Sequence, residues 1–307
     1  MSSIVGTATS AFYDRSKLAI TDLRKQAEAL QQKIGSGEKL ARSSDSPVDA
    51  SRLRTLMRAE KLSAIDMANA NRANADLTLA DDALQSFADF IIRARELATQ
   101  AGNATLSPAQ RAGIGTELAQ IHTSLISLAN ARDSAGHALF GGEASGNAYA
   151  LDGAGNAFYA GTASAGELPL GDGQSVSRGL TGPEFLNFTG PSGPTDLFAT
   201  IKALGEALQG AAADPAGAAR DALDTLGSAL EKVTTSQTIV GTRLAWIELT
   251  TDRRIELSEM RADEQAEIGG TDIGETVAEL QNIMLVLEAS QASFARLSQL
   301  SLFDQLR

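Results

Sequence analysis

The sequence predicts a mainly α-helical protein: long antiparallel, coiled-coil-like helices come from both chain ends, and a small β-rich insert domain lies at the tip. Three observations predict this fold. Apolar residues follow heptad spacing near both ends, and no Gly or Pro occurs between Pro47 and Gly102. Fourteen of the 28 glycines and four of the seven prolines lie between positions 135 and 195. Heptads indicate helices packed along a narrow seam, whereas dense Gly and Pro indicate turns.

The first predicted helix covers about residues 10–34. Its apolar residues alternate by three and four, which places them on one helical face. Gly35 and Gly37 then end the helix, because glycine suits the C-terminal cap. This first seam consists of Ile20, Leu23, Ala27, Leu30 and Ile34.

The next two helices have well-marked starts. Ser46 caps the second helix and Pro47 suits its first position, after which it continues to Gly102. The third begins at "LSPAQ", where Ser107 and Gln110 have the spacing of a capping box. The second helix carries the seam Leu77, Ala80, Leu84, Phe87, Ile91 and Ala94, and the third carries Ile114, Leu118, Ile121, Leu125, Leu128 and Ala131.

The Gly-rich region predicts short strands. The segments "YALDGAGNAFYAG" and "ELPLGDGQSVSRG" each place two short strand-like runs around a Gly turn. Helix returns near Thr195 or Asp196, breaks at Gly210 and resumes behind Asp214 and Pro215. Gly269 and Gly270 make a second break, and a last helix starts near Asp272. Its apolar residues recur every seven positions at Ile273, Leu280, Leu287 and Phe294.

The order of these elements is palindromic, so we expect the N-terminal and C-terminal helices to run antiparallel, with the insert at the end far from both termini. Residues 1–40 and 270–307 are predicted to form an inner coiled-coil domain from the terminal helices. Residues 41–140 and 196–269 form a long-helix middle domain, and residues 141–195 form the β insert. The two breaks would then be the joints between the inner and middle domains.

Composition excludes several classes of function. The net charge of −12 argues against nucleic acid or an anionic membrane as a partner. The absence of cysteine excludes disulfides, thiolate metal sites and cysteine nucleophiles. We also expect no membrane span and no cleavable signal peptide, because "MSSIVGTATSAFYDRSKLAI" lacks a basic segment followed by an apolar run.

No catalytic, cofactor-binding or metal site is expected. His122 and His137 are the only histidines, and neither has companions at the spacing of a metal site or catalytic triad. "GIGTE" at Gly113 falls inside a predicted helix, so it is not a phosphate-binding loop. Trp246 lies among apolar residues of a helix and is expected to pack there. We therefore predict that the chain is not an enzyme.

Five segments resemble the flagellin superfamily of bacteria. "GEKLARSSDSPVDASRL" is similar to the family's loop between a Gly-led helix end and a Ser-Asp-Asp-Pro turn, with Ser46 where the second Asp is usual. "RARELATQAGNATLSPAQRAGIGTELAQIHTSLISLAN" resembles the core helices, "HALFGGEASGNAY" the segment after them, and "VGTRLAWIE" the return helix. "LEASQASFARLSQLSLFDQLR" resembles the C-terminus of hook–filament junction members rather than that of filament flagellin.

The resemblance implies a structural protein that forms a ring at the junction of flagellar hook and filament. Its implied partners are hook-associated protein 1, flagellin, copies of itself, and an export chaperone at the C-terminal region. It implies export through the flagellar type III apparatus without a cleaved signal, and extracellular location in the flagellum. The terminal helices would become a coiled-coil inner tube on assembly.

The same resemblance suggests which residues act. The predicted assembly interface consists of Ile20, Leu23, Leu30, Ile34, Ile273, Leu280, Leu287, Phe294, Leu297, Leu302 and Phe303. The predicted hinge loop consists of Ser43, Ser44, Asp45, Ser46 and Pro47. Ordinary packing inside one chain is an equal alternative for the apolar set, and a plain helix cap is compatible with the hinge.

Three other functions fit the sequence less well. A filament flagellin is disfavoured by the C-terminal motif and the modest insert. A soluble coiled-coil signalling protein would need heptads that continue unbroken through the tip, where the Gly/Pro-rich insert lies instead. An enzyme in the middle domain would need a nucleophile motif or His and Cys residues that the insert lacks.

Overall fold

The computed structural model describes residues 2–40, 42, 44–133 and 135–304, with side chains described from 13 to 296 within those ranges. This part of the chain is mainly helical, with short strands in the middle. The α-helices are α1 (Ser2–Ser36), α2 (Pro47–Ala101), α3 (Pro108–Ala129), α4 (Gly182–Leu186), α5 (Leu197–Glu206), α6 (Pro215–Gly269) and α7 (Ile273–Asp304). The strands are β1 (Tyr149–Leu151), β2 (Ala157–Tyr159), β3 (Glu167–Gly171), β4 (Gln174–Ser177), β5 (Asn187–Gly190) and β6 (Gly193–Asp196).

Apart from the start of α1, the long helices begin and end close to the predicted positions. The Gly- and Pro-free stretch forms the 55-residue helix α2. Helix α1 starts at Ser2, eight residues before the predicted start near position 10. That early segment is rich in Ser, Thr and Gly, which are weak helix formers, so no periodicity marked it.

The predicted capping box at the start of helix α3 is confirmed. The Ser107 amide donates to Gln110 Oε1 at 2.9 Å, and the Gln110 amide donates back to Ser107 Oγ at 3.3 Å. Pro108 is the first helical residue, where its missing N–H costs no hydrogen bond. The start of α3 was therefore readable from four consecutive residues.

The insert consists of three antiparallel hairpins in the described residues. β1–β2 and β3–β4 are the two hairpins that the sequence predicts, whereas β5–β6 and the short helix α4 were not predicted. Two prolines, Pro191 and Pro194, obscure β5–β6, because proline argues against a strand. Asp172 and Gly173 form the two-residue turn of β3–β4 with positive φ at both positions, as a type I′ turn requires.

The helices after the insert begin and break at the caps and the glycine that the sequence indicates. The Asp196 carboxylate accepts from the Ala199 amide at 2.8 Å and so caps α5. A π-helical turn, Ala207–Ala211, follows α5 and contains Gly210 at φ 112°. The Gly217 amide donates to Asp214 at 2.9 Å, where α6 begins.

The chain divides into two compact units. The first unit comprises residues 1–61 and 257–307, and the second comprises residues 62–256. Both boundaries fall inside long helices, α2 and α6. The three-domain division with boundaries near 40, 140, 195 and 269 stays a prediction.

The hydrophobic core of the described residues lies in the second unit. Its centre is a cluster of three fully buried rings, Phe87, Phe140 and Phe185, with centroids 4.8 to 6.2 Å apart. The predicted seam of α2 supplies one wall, because Leu77, Ala80, Leu84, Phe87, Ile91 and Ala94 are each 0% exposed. Among the described helices, none combines the length and apolar character that crossing a membrane requires.

Candidate assembly surfaces

The two chain ends pair with each other. Helices α1 and α7 pack along their length, and Tyr13 meets Phe294 edge to face with ring centroids 5.5 Å apart. Among the side chains of α1 that the structure describes, Ala27 and Leu30 are the best-buried apolar ones, at 8% and 7% exposure. A two-helix seam this thin leaves most of each helix surface in solvent, as expected of an element that could pack further.

The predicted interface residues fall into three groups. Leu30 is buried in the α1–α7 seam, and Ile273 is 56% exposed. The side chains of Leu297, Leu302 and Phe303 lie outside the described residues. The remaining members are partly buried, namely Ile20, Leu23, Ile34, Leu280, Leu287 and Phe294.

Other apolar side chains on these helices point outward. Leu18 is 64% exposed, and on α7 Met284, Leu285 and Val286 are 52%, 68% and 43% exposed. A groove of about 410 Å³ runs beside two of them, Leu285 and Val286. The heptad of α7 includes none of these outward residues. The available signal was the run "MLVL", since four consecutive apolar residues cannot all face one seam.

The two predicted breaks meet in the structure. The Lys39 amide donates to the Gly269 carbonyl at 2.7 Å, and the Thr271 amide donates to the Gly37 carbonyl at 3.0 Å. Gly37 has φ +70°, the left-handed conformation that allows α1 to end there. The two breaks therefore exchange backbone hydrogen bonds, and these bonds hold them together at one joint of the first unit.

The predicted hinge loop forms a tight turn at this joint. The Arg42 amide donates to Asp45 Oδ2 at 2.9 Å, and the Asp45 amide donates back to the Arg42 carbonyl at 3.0 Å. Ser46 supplies the first helical acceptor of α2, to the Ala50 amide at 2.9 Å, and Pro47 is the first helical residue. Ser44 lies in the turn, and Ser43 lies outside the described residues. Whether the loop acts as a hinge stays a prediction.

Ion pairs join α2 to α6 within the first unit. Arg52 donates from Nε and Nη2 to the two oxygens of Glu264, the longer contact being 2.8 Å. The hydrogen bond from Arg52 lowers the pKa of the Glu264 carboxyl. Glu60 accepts from Ser258 at 2.7 Å and from Arg261 at 2.9 Å. These contacts fix the antiparallel register of the two helices.

A buried ion pair anchors the β3–β4 hairpin in the second unit. Arg254, whose side chain is 9% exposed, donates to Asp66 at 3.0 Å, and Asp172 lies 3.8 Å from the same guanidinium. A side chain at Gly171 would collide with Asp66 and Arg254. The hairpin turn therefore sits directly on the ion pair, and the neighbouring Asn69 holds the Pro169 carbonyl at 3.1 Å.

A second arginine joins α2, the segment after α3, and the insert. Arg178 donates to Asp76 at 3.0 Å and to Asp133 at 2.7 Å, and both carboxylates are buried. Burial acts to raise the pKa of Asp133, but amide donors from His137 and Ala135 and the Arg178 charge outweigh it, so the pKa is lowered. The sequence reasoning missed both arginines, because their partners lie 45 to 188 residues away.

The two histidines have structural surroundings. Nε2 of His122 is buried without a hydrogen-bond partner, and its ring packs edge-on against Phe198. Burial, with the nearby Lys202 charge, lowers the pKa of His122. His137 lies 3.6 Å from Asp133. Within the described ranges no three His, Cys, Asp or Glu residues are grouped as metal ligands would be.

Comparisons with known proteins agree on one family. The family model "bacterial flagellin N-terminal helical region" matches residues 9–145. Flagellar hook-associated protein 3 of Escherichia coli is 24% identical, over 97% of this chain and 98% of that protein. The Salmonella typhimurium protein of the same name is 28% identical over 135 residues, which are 44% of this chain and 43% of that protein.

A solved structure has the same fold. A putative flagellar hook-associated protein from Vibrio parahaemolyticus superimposes with a TM-score of 0.67 at 21% identity. The superposition covers 74% of this chain and all of that one.

Proposed function

Because this chain belongs to the flagellin superfamily, with hook-associated protein 3 as the member it resembles, we propose that it forms the junction ring between the flagellar hook and the filament. A structural role in the flagellum is what its relatives share. The observation that carries the finer proposal is the end-to-end match to hook-associated protein 3 of Escherichia coli. The match spans nearly the whole of both chains.

The ring would be built through the terminal helices. Each copy uses the α1–α7 seam to pair its own ends and offers the uncovered sides of that pair to neighbouring copies. Ile273 and the outer parts of Ile20, Leu280 and Leu287 are the predicted contacts, and the exposed Leu285 extends the same surface. Each large apolar side chain contributes about 1.5–3 kcal/mol at most when fully buried, so the contact would depend on many copies.

The joint would let the inner and middle parts of the chain adjust to different neighbours. Below the ring the partner would be hook-associated protein 1, and above it flagellin. Residues 44–46 and 270–272 supply backbone that is not helical between the long helices. An export chaperone would hold the C-terminal region before assembly, and the chain would leave the cell through the flagellar type III apparatus.

The chain would act as a structural element and not as an enzyme. Its relatives are named as flagellar hook-associated proteins, and its buried polar groups hold helices and hairpins together. We propose no catalytic, cofactor or metal site.

Immunoelectron microscopy of intact flagella tests this function. We expect antibody against the chain to label one narrow band where hook meets filament. Label along the whole filament would instead make the protein a filament flagellin. Label absent from flagella would overturn the flagellar role and favour a soluble coiled-coil signalling protein.

A further inference from the structure

Helix α2 carries a row of exposed cations in the first unit. Arg54, Arg58 and Lys61 are spaced by four and three residues, so they lie on one face. Leu56, 5% exposed, lies on the opposite face of the same helix. We call the three cations the basic stripe.

Helix α6 carries the matching row of anions. Glu259, Asp263 and Glu267 are spaced by four residues and are all exposed. Arg261, which reaches Glu60 of α2, lies on the other side of the helix. We call the three anions the acidic stripe, and it faces away from α2 as the basic stripe faces away from α6.

The inward charges of the two helices are paired, and the outward ones are not. Arg52 binds Glu264, and Arg261 binds Glu60. Within the described residues, no member of either stripe has an ion-pair partner. Like charges four residues apart repel one another on a helix, and both stripes contain such pairs. An opposite charge from outside the chain would relieve that repulsion.

The two stripes also lie at matching heights. Arg52 stands opposite Glu264, and Glu60 stands opposite Ser258 and Arg261. Because both helices advance by about 1.5 Å per residue in opposite directions, Arg54 lies level with Asp263 and Arg58 with Glu259, to within about one turn. A second copy placed alongside without axial displacement therefore brings cations opposite carboxylates.

We propose that the basic stripe of one copy binds the acidic stripe of the next copy in the ring. This inference rests on the proposed function, because it names the side-to-side contact of the proposed ring. The two surfaces differ and lie on opposite sides of the helix pair, so the contact is head to tail and closes by rotation. Charge complementarity selects a second copy as the occupant and sets its height.

Cysteine cross-linking tests the contact directly. The natural chain has no cysteine, so a variant with Arg58→Cys and Glu259→Cys reacts with a thiol-specific linker only at these positions. With this variant as the sole source of the protein, we expect isolated flagella to yield a ladder of covalent multimers. Each single-cysteine variant should yield none beyond a dimer.

Charge reversal gives an independent test. Reversing one stripe, by Arg54→Glu with Arg58→Glu or by Glu259→Arg with Asp263→Arg, should reduce the junction label about tenfold or more. Reversing both stripes in the same chain should restore it. The control Arg72→Glu with Arg95→Glu makes the same charge change on exposed positions of α2 in the second unit and should leave the label unchanged.

The outcomes separate this contact from the function. Suppose that the wild type gives the junction band. The stripe contact would then be overturned, and the junction role would stay intact, if the double-cysteine variant gave no ladder. The same conclusion would follow if the stripe reversals left the label unchanged, as the control does. A double reversal no better than either single one would also overturn it. Absence of wild-type label from flagella would overturn the proposed function itself.

Discussion

Replacing Arg254 by Ala should strongly destabilise the second unit. The guanidinium lies 3.0 Å from Asp66 and its side chain is 9% exposed, whereas that of Asp66 is 21% exposed. Removing one partner of a buried pair costs about 3–5 kcal/mol, because the other charge stays buried without compensation. Since Asp66 keeps some contact with water, we expect the lower end, about 3 kcal/mol. For a unit of this size, that lowers its Tm by about 6–12 °C.

The single tryptophan makes the measurement specific. Trp246 lies on α6 in the second unit, so its fluorescence during urea unfolding reports on that unit. The matched control is Arg253→Ala, the exposed neighbour on the same helix, which should change the unfolding free energy by less than about 0.5 kcal/mol. The double variant Arg254→Met with Asp66→Leu should recover most of the loss, because no unpaired charge remains.

Two results would refute this reasoning. One is a loss below about 1 kcal/mol for Arg254→Ala, which would mean that Asp66 is solvated without its partner. The other is a double variant as unstable as the single one. The arginine would then act through its packed methylene groups and not through its charge.

Three further predictions concern pH, the hairpin turn and the terminal helices. The wild type should lose stability as the pH falls from about 7 to 5, because His122 takes up a proton near pH 6.5 in the unfolded chain while burial lowers its pKa in the folded chain. His122→Phe should remove this loss. Equal urea midpoints of the wild type across that range would contradict the prediction. Gly171→Ala should cost more than Gly173→Ala in urea unfolding. Both positions have positive φ, where alanine costs about 1–2 kcal/mol of backbone strain. Only the Cβ added at Gly171 would also collide with side chains, so equal losses of unfolding free energy in the two variants would exclude the collision. Leu30→Ala should lower the stability of the α1–α7 pair by about 2–4 kcal/mol and reduce the helicity measured by circular dichroism. Leu18→Ala, at an exposed position, should do neither. Equal effects of the two variants would contradict the burial of Leu30 between α1 and α7.

Much of the fold could be predicted because its signals are local. The capping box at Ser107, the starts at Pro47 and Pro215 and the breaks at Gly37 and Gly269 each depend on a few adjacent residues. The β5–β6 hairpin escaped prediction because its prolines argue against strands, yet Pro194 occupies a pairing position opposite Thr189. The hairpin is held by its place in the fold and not by its own propensity.

The predicted interface residues illustrate a harder problem. A heptad seam shows that a helix has an apolar face, but the same pattern serves a partner helix of the same chain or of another copy. In the structure the seam of α1 faces α7, and Leu30 is buried within the chain. The choice of surface for a neighbouring copy therefore depends on what this pairing leaves uncovered.

By itself, the sequence determined the order of the long helices, most of their limits and two of the hairpins, since caps, glycines and apolar spacing act over a few residues. Only the tertiary structure decided which charges are paired inside and which face outward. Arg254 and Arg253 are adjacent in sequence, but one is buried against Asp66, 188 residues away, and the other is exposed. The physical reason is that desolvation and charge pairing depend on long-range packing, which brings distant helix faces together and leaves others, such as the two stripes, in water.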